Sequence, residues 1–117
     1  MTQYIGAQDI GIVRESELRE IIEDSNLNYA LIDKMLYKLY EEQKDVTLKD
    51  FSWLLTIFCY GDTYFNYLQV PHVVEELERL KIKIREKGQQ QLIGEIDNII
   101  SFLKKTEIGD LVRFIGD

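Results

Sequence analysis

Two consecutive runs of helical periodicity, meeting at Gly88, constrain this chain more than any other feature. Val73, Val74, Leu77, Leu80 and Ile84 recur at steps of three and four over residues 71–87, and Leu92, Ile93, Ile96, Ile99, Ile100 and Leu103 do so over 89–105. Each set lays an apolar stripe along one side of a helix, and a stripe of that width has to be covered. Pro71 stands where the first turn of a helix tolerates a missing N–H. Glu75, Glu76 and Glu78 come early and Lys81, Lys83, Arg85 and Lys87 late, as the helix dipole prefers, and Gly88 supplies the stop.

Upstream, the same template predicts three more helices. Leu18, Ile21 and Ile22 share a face over residues 14–24, leaving Glu15, Glu17, Glu20 and Glu23 in water. Residues 2–13, with Gly6 and Gly11, read as an irregular lead-in or a short edge strand. Ser25 to Asn28 forms a break and a cap for a helix over 29–43, whose inner face is Leu31, Ile32, Met35, Leu36 and Leu39. Thr47 and Asp50 have capping-box spacing ahead of residues 48–58. As a helix that segment buries Phe51, Leu54, Leu55 and Phe58; Trp53, Ile57 and Cys59 make it apolar nearly all round, and a strand is the rival reading. Gly61 to Thr63 reads as a turn, residues 64–68 as extended or looping, and 111–115 as strand-like in composition but open to a helix. The expectation is a mainly α fold: one compact domain over residues 1–117, a bundle of about five helices with room for a small β-hairpin or terminal strands.

Composition narrows the function. A single cysteine cannot build a disulfide framework, and the N-terminus lacks a signal-peptide pattern. The longest apolar run, Phe51 to Tyr60, contains Ser52 and Thr56 and is too short to cross a bilayer. A soluble, cytoplasmic protein, monomeric and without a membrane partner, is expected. The net charge is −7, and residues 1–69 hold 12 of the 21 acids against six bases. Such a field repels nucleic acid and speeds encounter with a basic protein.

Catalytic chemistry has little to work with. His72 is the sole histidine, and with Glu76 four residues on it makes at most two metal ligands. No Gly-x-Gly or phosphate-binding loop occurs, and adjacent acids such as Glu41/Glu42 diverge on a helix. Arg79 to Lys87 is the only basic cluster, and acids on the same helix balance it. No enzyme activity, cofactor, metal or nucleic acid is therefore expected; a carboxylate hydrolase using Glu76 is the distant rival. A binding surface fits better. Tyr29, Asp33, Tyr37 and Glu41 fall at steps of four on the second helix, with Tyr40 alongside. Tyrosines among carboxylates add contact area at small entropic cost, and the rival reading is that these rings lie half-buried at the rim of the core. Asp62 and Tyr64 in the following loop, and Glu15, Glu17 and Glu20 on the first helix, extend the candidate surface.

Gly61-Asp62-Thr63-Tyr64-Phe65-Asn66-Tyr67-Leu68-Gln69, followed by a helix containing Glu76-Leu77 and Leu80, resembles a Thr-x-Phe-Asn-x-x-Gln…Glu-Leu-x-x-Leu pattern. That pattern occurs in small bacterial immunity proteins of polymorphic and contact-dependent inhibition toxin systems. The matching residues are Thr63, Phe65, Asn66, Gln69, Glu76, Leu77 and Leu80. The resemblance implies a single-domain antidote that binds a cognate toxin domain, such as a basic nuclease, and blocks it. Another interaction module, such as a phage-encoded inhibitor or an adaptor, is the alternative.

Overall fold

The computed structural model describes residues 9–42 and 49–117. Among these described residues, four strands and three α-helices are laid out in the order β1 (Ile10–Glu15), β2 (Ile21–Asn28), α1 (Ala30–Glu42), β3 (Asp62–Asn66), α2 (Val70–Glu86), α3 (Gln90–Leu103) and β4 (Leu111–Gly116). The strands form one antiparallel sheet in the order β2-β1-β4-β3. This is an α+β fold, and the expected mainly α bundle of five helices is overturned. The apolar cluster joins Ile10 and Ile12 of β1, Phe65 of β3 and Val112 and Phe114 of β4 to the buried stripes of all three helices.

The two helices read most firmly are present. Val73, Leu77, Leu80 and Ile84 of α2 are fully buried, as is Ile96 of α3, and Gly88 between them takes φ +76°. A left-handed residue at that point lets the chain reverse without a Cβ clash. Helix α1 also forms, although Leu31 of its expected inner face is 56 % exposed while Asp33 is buried.

The helix expected over 14–24 is instead the β1–β2 hairpin. Its turn is built on Ser16, whose backbone N–H donates to the Glu20 carbonyl (2.8 Å) and whose hydroxyl accepts from the Leu18 and Glu20 N–H groups. Arg19 in the turn adopts φ +65°. Leu18, Ile21 and Ile22 mimic a helical stripe by spacing alone, and all three are at least 49 % exposed. β1 is an inner strand rather than an edge. The expected break at 25–28 is the end of β2, where the Ser25 hydroxyl donates to the Ile12 carbonyl (2.6 Å) across an irregular register. The capping role of Asn28 holds, its side-chain oxygen accepting the Ala30 N–H (3.0 Å).

The apolar segment 49–58 is neither helix nor strand but a series of turns with one 3₁₀ turn at Leu54–Thr56. Phe51, Leu54 and Ile57 point inward, whereas Phe58 is 58 % exposed and Trp53 and Cys59 are half-buried. The reason is Glu76 of α2, a carboxylate only 3 % exposed. It accepts the backbone N–H groups of Trp53 (2.9 Å) and Leu54 (2.9 Å) and the Ser52 hydroxyl (3.3 Å), with Arg79 3.8 Å away. A charge satisfied by these donors holds the segment in a short, tight turn. The expected turn at 61–63 runs into β3, and residues 111–115 are strand. Residues 2–8 of the expected lead-in, and Val46 to Leu48 with the expected Thr47 cap, lie outside the described residues.

Two outcomes test this account. Glu76→Ala orphans buried N–H groups and is expected to lower unfolding free energy by about 2–4 kcal/mol in urea titrations, more than Glu75→Ala on the exposed face. Tyr40 has its hydroxyl pushed up to about 12, by burial first and then by Asp50 and Glu76, against the pull of a hydrogen bond to the Phe51 backbone. Its proton is held longer in the folded chain than in the unfolded one, so this contribution is complete below the ordinary value of 10.0 and is lost as pH rises toward 12. Unfolding measured across that range is expected to show the loss, with a shallower slope in Tyr40→Phe.

Candidate protein-interaction surface

Leu111 at the start of β4 lies opposite Glu15, the end of β1, and Asn66, the end of β3. Three connections therefore emerge together at one end of the sheet: residues 16–20, 67–69 and 104–110. The last is closed by Asp110, whose carboxylate accepts the Glu107 N–H (2.9 Å), and by Gly109 at φ +92°. At their tips Leu18 is 81 % exposed, Ile108 86 % and Leu68 66 %. Exposed aliphatic groups thus stand on three turns at the same end of the sheet.

The Glu17 side chain lies against Gly109 so closely that a Cβ there would fall 2.5 Å from its Oε1. Glu17 also walls a hollow of about 280 Å³ with Tyr67, Gly109 and Asp110. Tyr67 also lines a second hollow of about 290 Å³, with Val70, Pro71, Val74, Leu103 and Lys104 among its walls.

Beside this end, on the sheet face away from the core, Arg113 of β4 gathers several of the expected residues. Its Nε is 2.8 Å from Glu15 Oε2 and its Nη1 3.4 Å from Asp62 Oδ2. Its guanidinium lies 5.9 Å from the Tyr64 ring, and the Arg19 guanidinium lies 4.4 Å from the same ring. Burial opposes the Arg113 charge, but the hydrogen bond with Tyr64 and the carboxylates of Glu15 and Asp62 outweigh it and raise its pKa. Glu15 is 2 % exposed, and its Oε1 has no hydrogen-bond partner.

The expected binding residues thus divide. Glu17 and Glu20 are exposed at the loop end; Tyr64 lies midway along β3 and Asp62 at that strand's other end, level with Ile115. Glu15 is in the same neighbourhood but buried under Arg113. Tyr29 and Asp33 do not face outward: Tyr29 is fully buried with its ring edge-on to Phe114 (5.4 Å), and Asp33 is 1 % exposed. Tyr37 is half-buried, its hydroxyl held above the usual pKa by burial and then by Asp33 and Cys59, while Glu41 is exposed on α1. Nor is the acid free where it clusters. Arg113 offsets Glu15 and Asp62, Arg14 lies 3.5 Å from Glu23 and 3.6 Å from Asp110, and Lys105 is 3.5 Å from Glu23. Glu17, Glu20 and Glu107 enter no ion pair among the described residues.

Reading by pattern missed Leu18, Leu68 and Ile108, since an apolar residue in a turn carries no mark of exposure. It also gave His72 and Glu76 a shared chemical option that the geometry removes. His72 stacks on Trp53 (5.4 Å, 16° between planes), and Glu76 is committed to backbone amides. Among the described residues no three His, Cys, Asp or Glu side chains converge as metal ligands would. No helix among them is long and apolar enough to cross a membrane.

The residues that carried the family resemblance all serve the frame. The Thr63 hydroxyl accepts the Phe58 N–H (2.8 Å), and Phe65 packs edge-on against Phe114 and Trp53. Asn66 and Gln69 exchange bonds in the manner of a capping box: Asn66 Oδ1 accepts the Gln69 N–H (3.0 Å) and Gln69 Oε1 accepts the Asn66 N–H (2.9 Å). Leu77 and Leu80 are fully buried.

Arg113→Ala leaves Glu15 as an uncompensated buried charge. A loss of about 2–4 kcal/mol in denaturant-measured stability is expected, partly recovered in Glu15→Gln/Arg113→Ala. No protein-family model matches the chain, and no curated protein or solved structure matches it.

Proposed function

We propose that this protein is a non-enzymatic binding module of the immunity type, which covers a basic toxin domain in the cytoplasm through the loop-bearing end of its sheet. The observation that carries this reading is the set of exposed aliphatic tips, Leu18, Leu68 and Ile108, at the same end of the sheet as the carboxylates Glu17, Glu20 and Glu107, which enter no ion pair among the described residues. Apolar anchors lose water on docking and slow release, while acids around them steer a cationic partner. Net charge of −7 acts in the same direction at long range. The residues proposed to meet the partner are these tips with Glu17, Glu20 and Tyr64, while Asp62 at the far end of β3 and Tyr37 and Glu41 on α1 form separate edges. The resemblance of residues 61–80 to immunity proteins supports the same assignment through the frame alone.

Isothermal titration against the toxin encoded by the neighbouring gene is expected to give a one-to-one complex, and absence of binding sinks the proposal. Leu18→Asp/Ile108→Asp should weaken that complex at least tenfold with little change in stability, since both side chains lie in water in the free protein. Raising salt from low to several hundred millimolar should slow association about tenfold or more and alter dissociation much less.

A further inference from the structure

We infer that Arg19 is a positioning residue: its guanidinium, laid over the Tyr64 ring, latches the β1–β2 turn across the sheet and holds the Leu18 tip out for docking. The docking half rests on the proposed binding role; the latch itself does not.

The register shows how far the turn leans. Tyr64 lies opposite Arg113, and Arg113 opposite Val13, so the ring stands two strands over from β1 and two residues in from that strand's end at Glu15. Two strand spacings are about 10 Å. The Arg19 guanidinium nevertheless lies 4.4 Å from the centre of that ring. Glu17 makes a second point of the same lean, its side chain set against Gly109 just ahead of β4. Both chain neighbours of Leu18 are therefore seated on other parts of the fold.

The turn gains nothing else by this seat. Leu18, 81 % exposed, draws no stability from burial. Arg19 takes φ +65°, a left-handed backbone that costs a residue with a Cβ. Ser16 closes the turn locally by accepting the Leu18 and Glu20 N–H groups, but those bonds do not direct it over β4. Arg19 enters no ion pair among the described residues, which leaves the ring contact to offset the strain. A strained backbone that keeps an apolar side chain in water is a shape held ready, because ordering completed in the free chain is not subtracted from the affinity.

The test begins with the full-length ¹³C,¹⁵N-labelled chain. The Arg19 δ-protons are expected upfield of their position in unstructured peptides, displaced by the Tyr64 ring, with the displacement kept in Tyr64→Phe and lost in Tyr64→Leu. Exchange of the Arg19 amide, bonded to the Ser16 carbonyl, should quicken about two- to fivefold in Arg19→Gln, as loss of one exposed cation–ring contact requires. Amides of β1 and β4 and the unfolding midpoint should stay close to those of the parent, since Arg19 is exposed. Undisplaced δ-protons or an unchanged exchange rate overturns the latch. For docking, Arg19→Gln is expected to weaken the complex with the toxin encoded by the neighbouring gene by a similar factor, and Arg19→Lys, which keeps a cation, to restore most of it. Steering alone would have the opposite sign, because removing a positive charge favours a basic toxin. Binding that is unchanged or tighter in Arg19→Gln therefore overturns the positioning role. Failure of the parent chain itself to bind removes the binding role and the positioning role with it, while the latch is still decided by the spectra of the free chain.

Discussion

The carboxylate of Glu76 ties the least regular part of this protein to its most regular part. Residues 49–58 have ample apolar surface but no ladder or helical repeat to satisfy their backbone. Left alone, their N–H groups would be buried at a cost of roughly 1–3 kcal/mol each. By accepting two of those groups, Glu76 lets Phe51, Leu54 and Ile57 enter the core while α2 continues undisturbed beneath them. Trp53 is thereby set against Phe65 and His72. Phe65 in turn meets Phe114, which meets Tyr29 at the start of α1. A continuous aromatic line thus runs from the irregular segment across the sheet to the first helix.

What could be read in advance follows from how many faces each element buries. α2 and α3 lie on the sheet with one side in water, so their stripes at three and four survive in the sequence. β1 hides Ile12 on one face and Val13 and Glu15 on the other, so its alternation is blurred. β2 is exposed along much of its length, and Ile21 and Ile22 there carry a helical spacing that nothing buries. The Phe51–Tyr60 run defeats both templates because a side chain more than twenty residues away decides its shape. Tyr29 and Asp33 show the opposite error: a spacing of four placed them on one stripe with Glu41, but Tyr29 is fixed on Ile10 and Phe114 and Asp33 is buried, whereas Glu41 reaches solvent.

The binding surface was legible in its charges and not in its hydrophobic part. Glu17 and Glu20 could be taken as exposed from residue type alone. That Leu18 and Ile108 sit beside them is a consequence of register, because it needs β1, β4 and β3 to end at the same level. The sheet also converts part of the sequence's acidity into structure. Glu15, Glu23, Asp62 and Asp110 are spent against Arg14, Lys105 and Arg113, leaving a smaller and more local set of free carboxylates than the count of acids conveys.

Thr63, Phe65, Asn66, Gln69, Glu76, Leu77 and Leu80 write much of the architecture within one stretch, whereas Leu18 and Ile108 hang from two short turns elsewhere. Instruction and cargo are therefore physically separable. The turns at 16–20 and 104–110 can be rewritten, even in length, at modest entropic cost, and the helices and Glu76 clasp do not register the change. Transplanting such turns between chains of this architecture would carry a new specificity on an unaltered chassis.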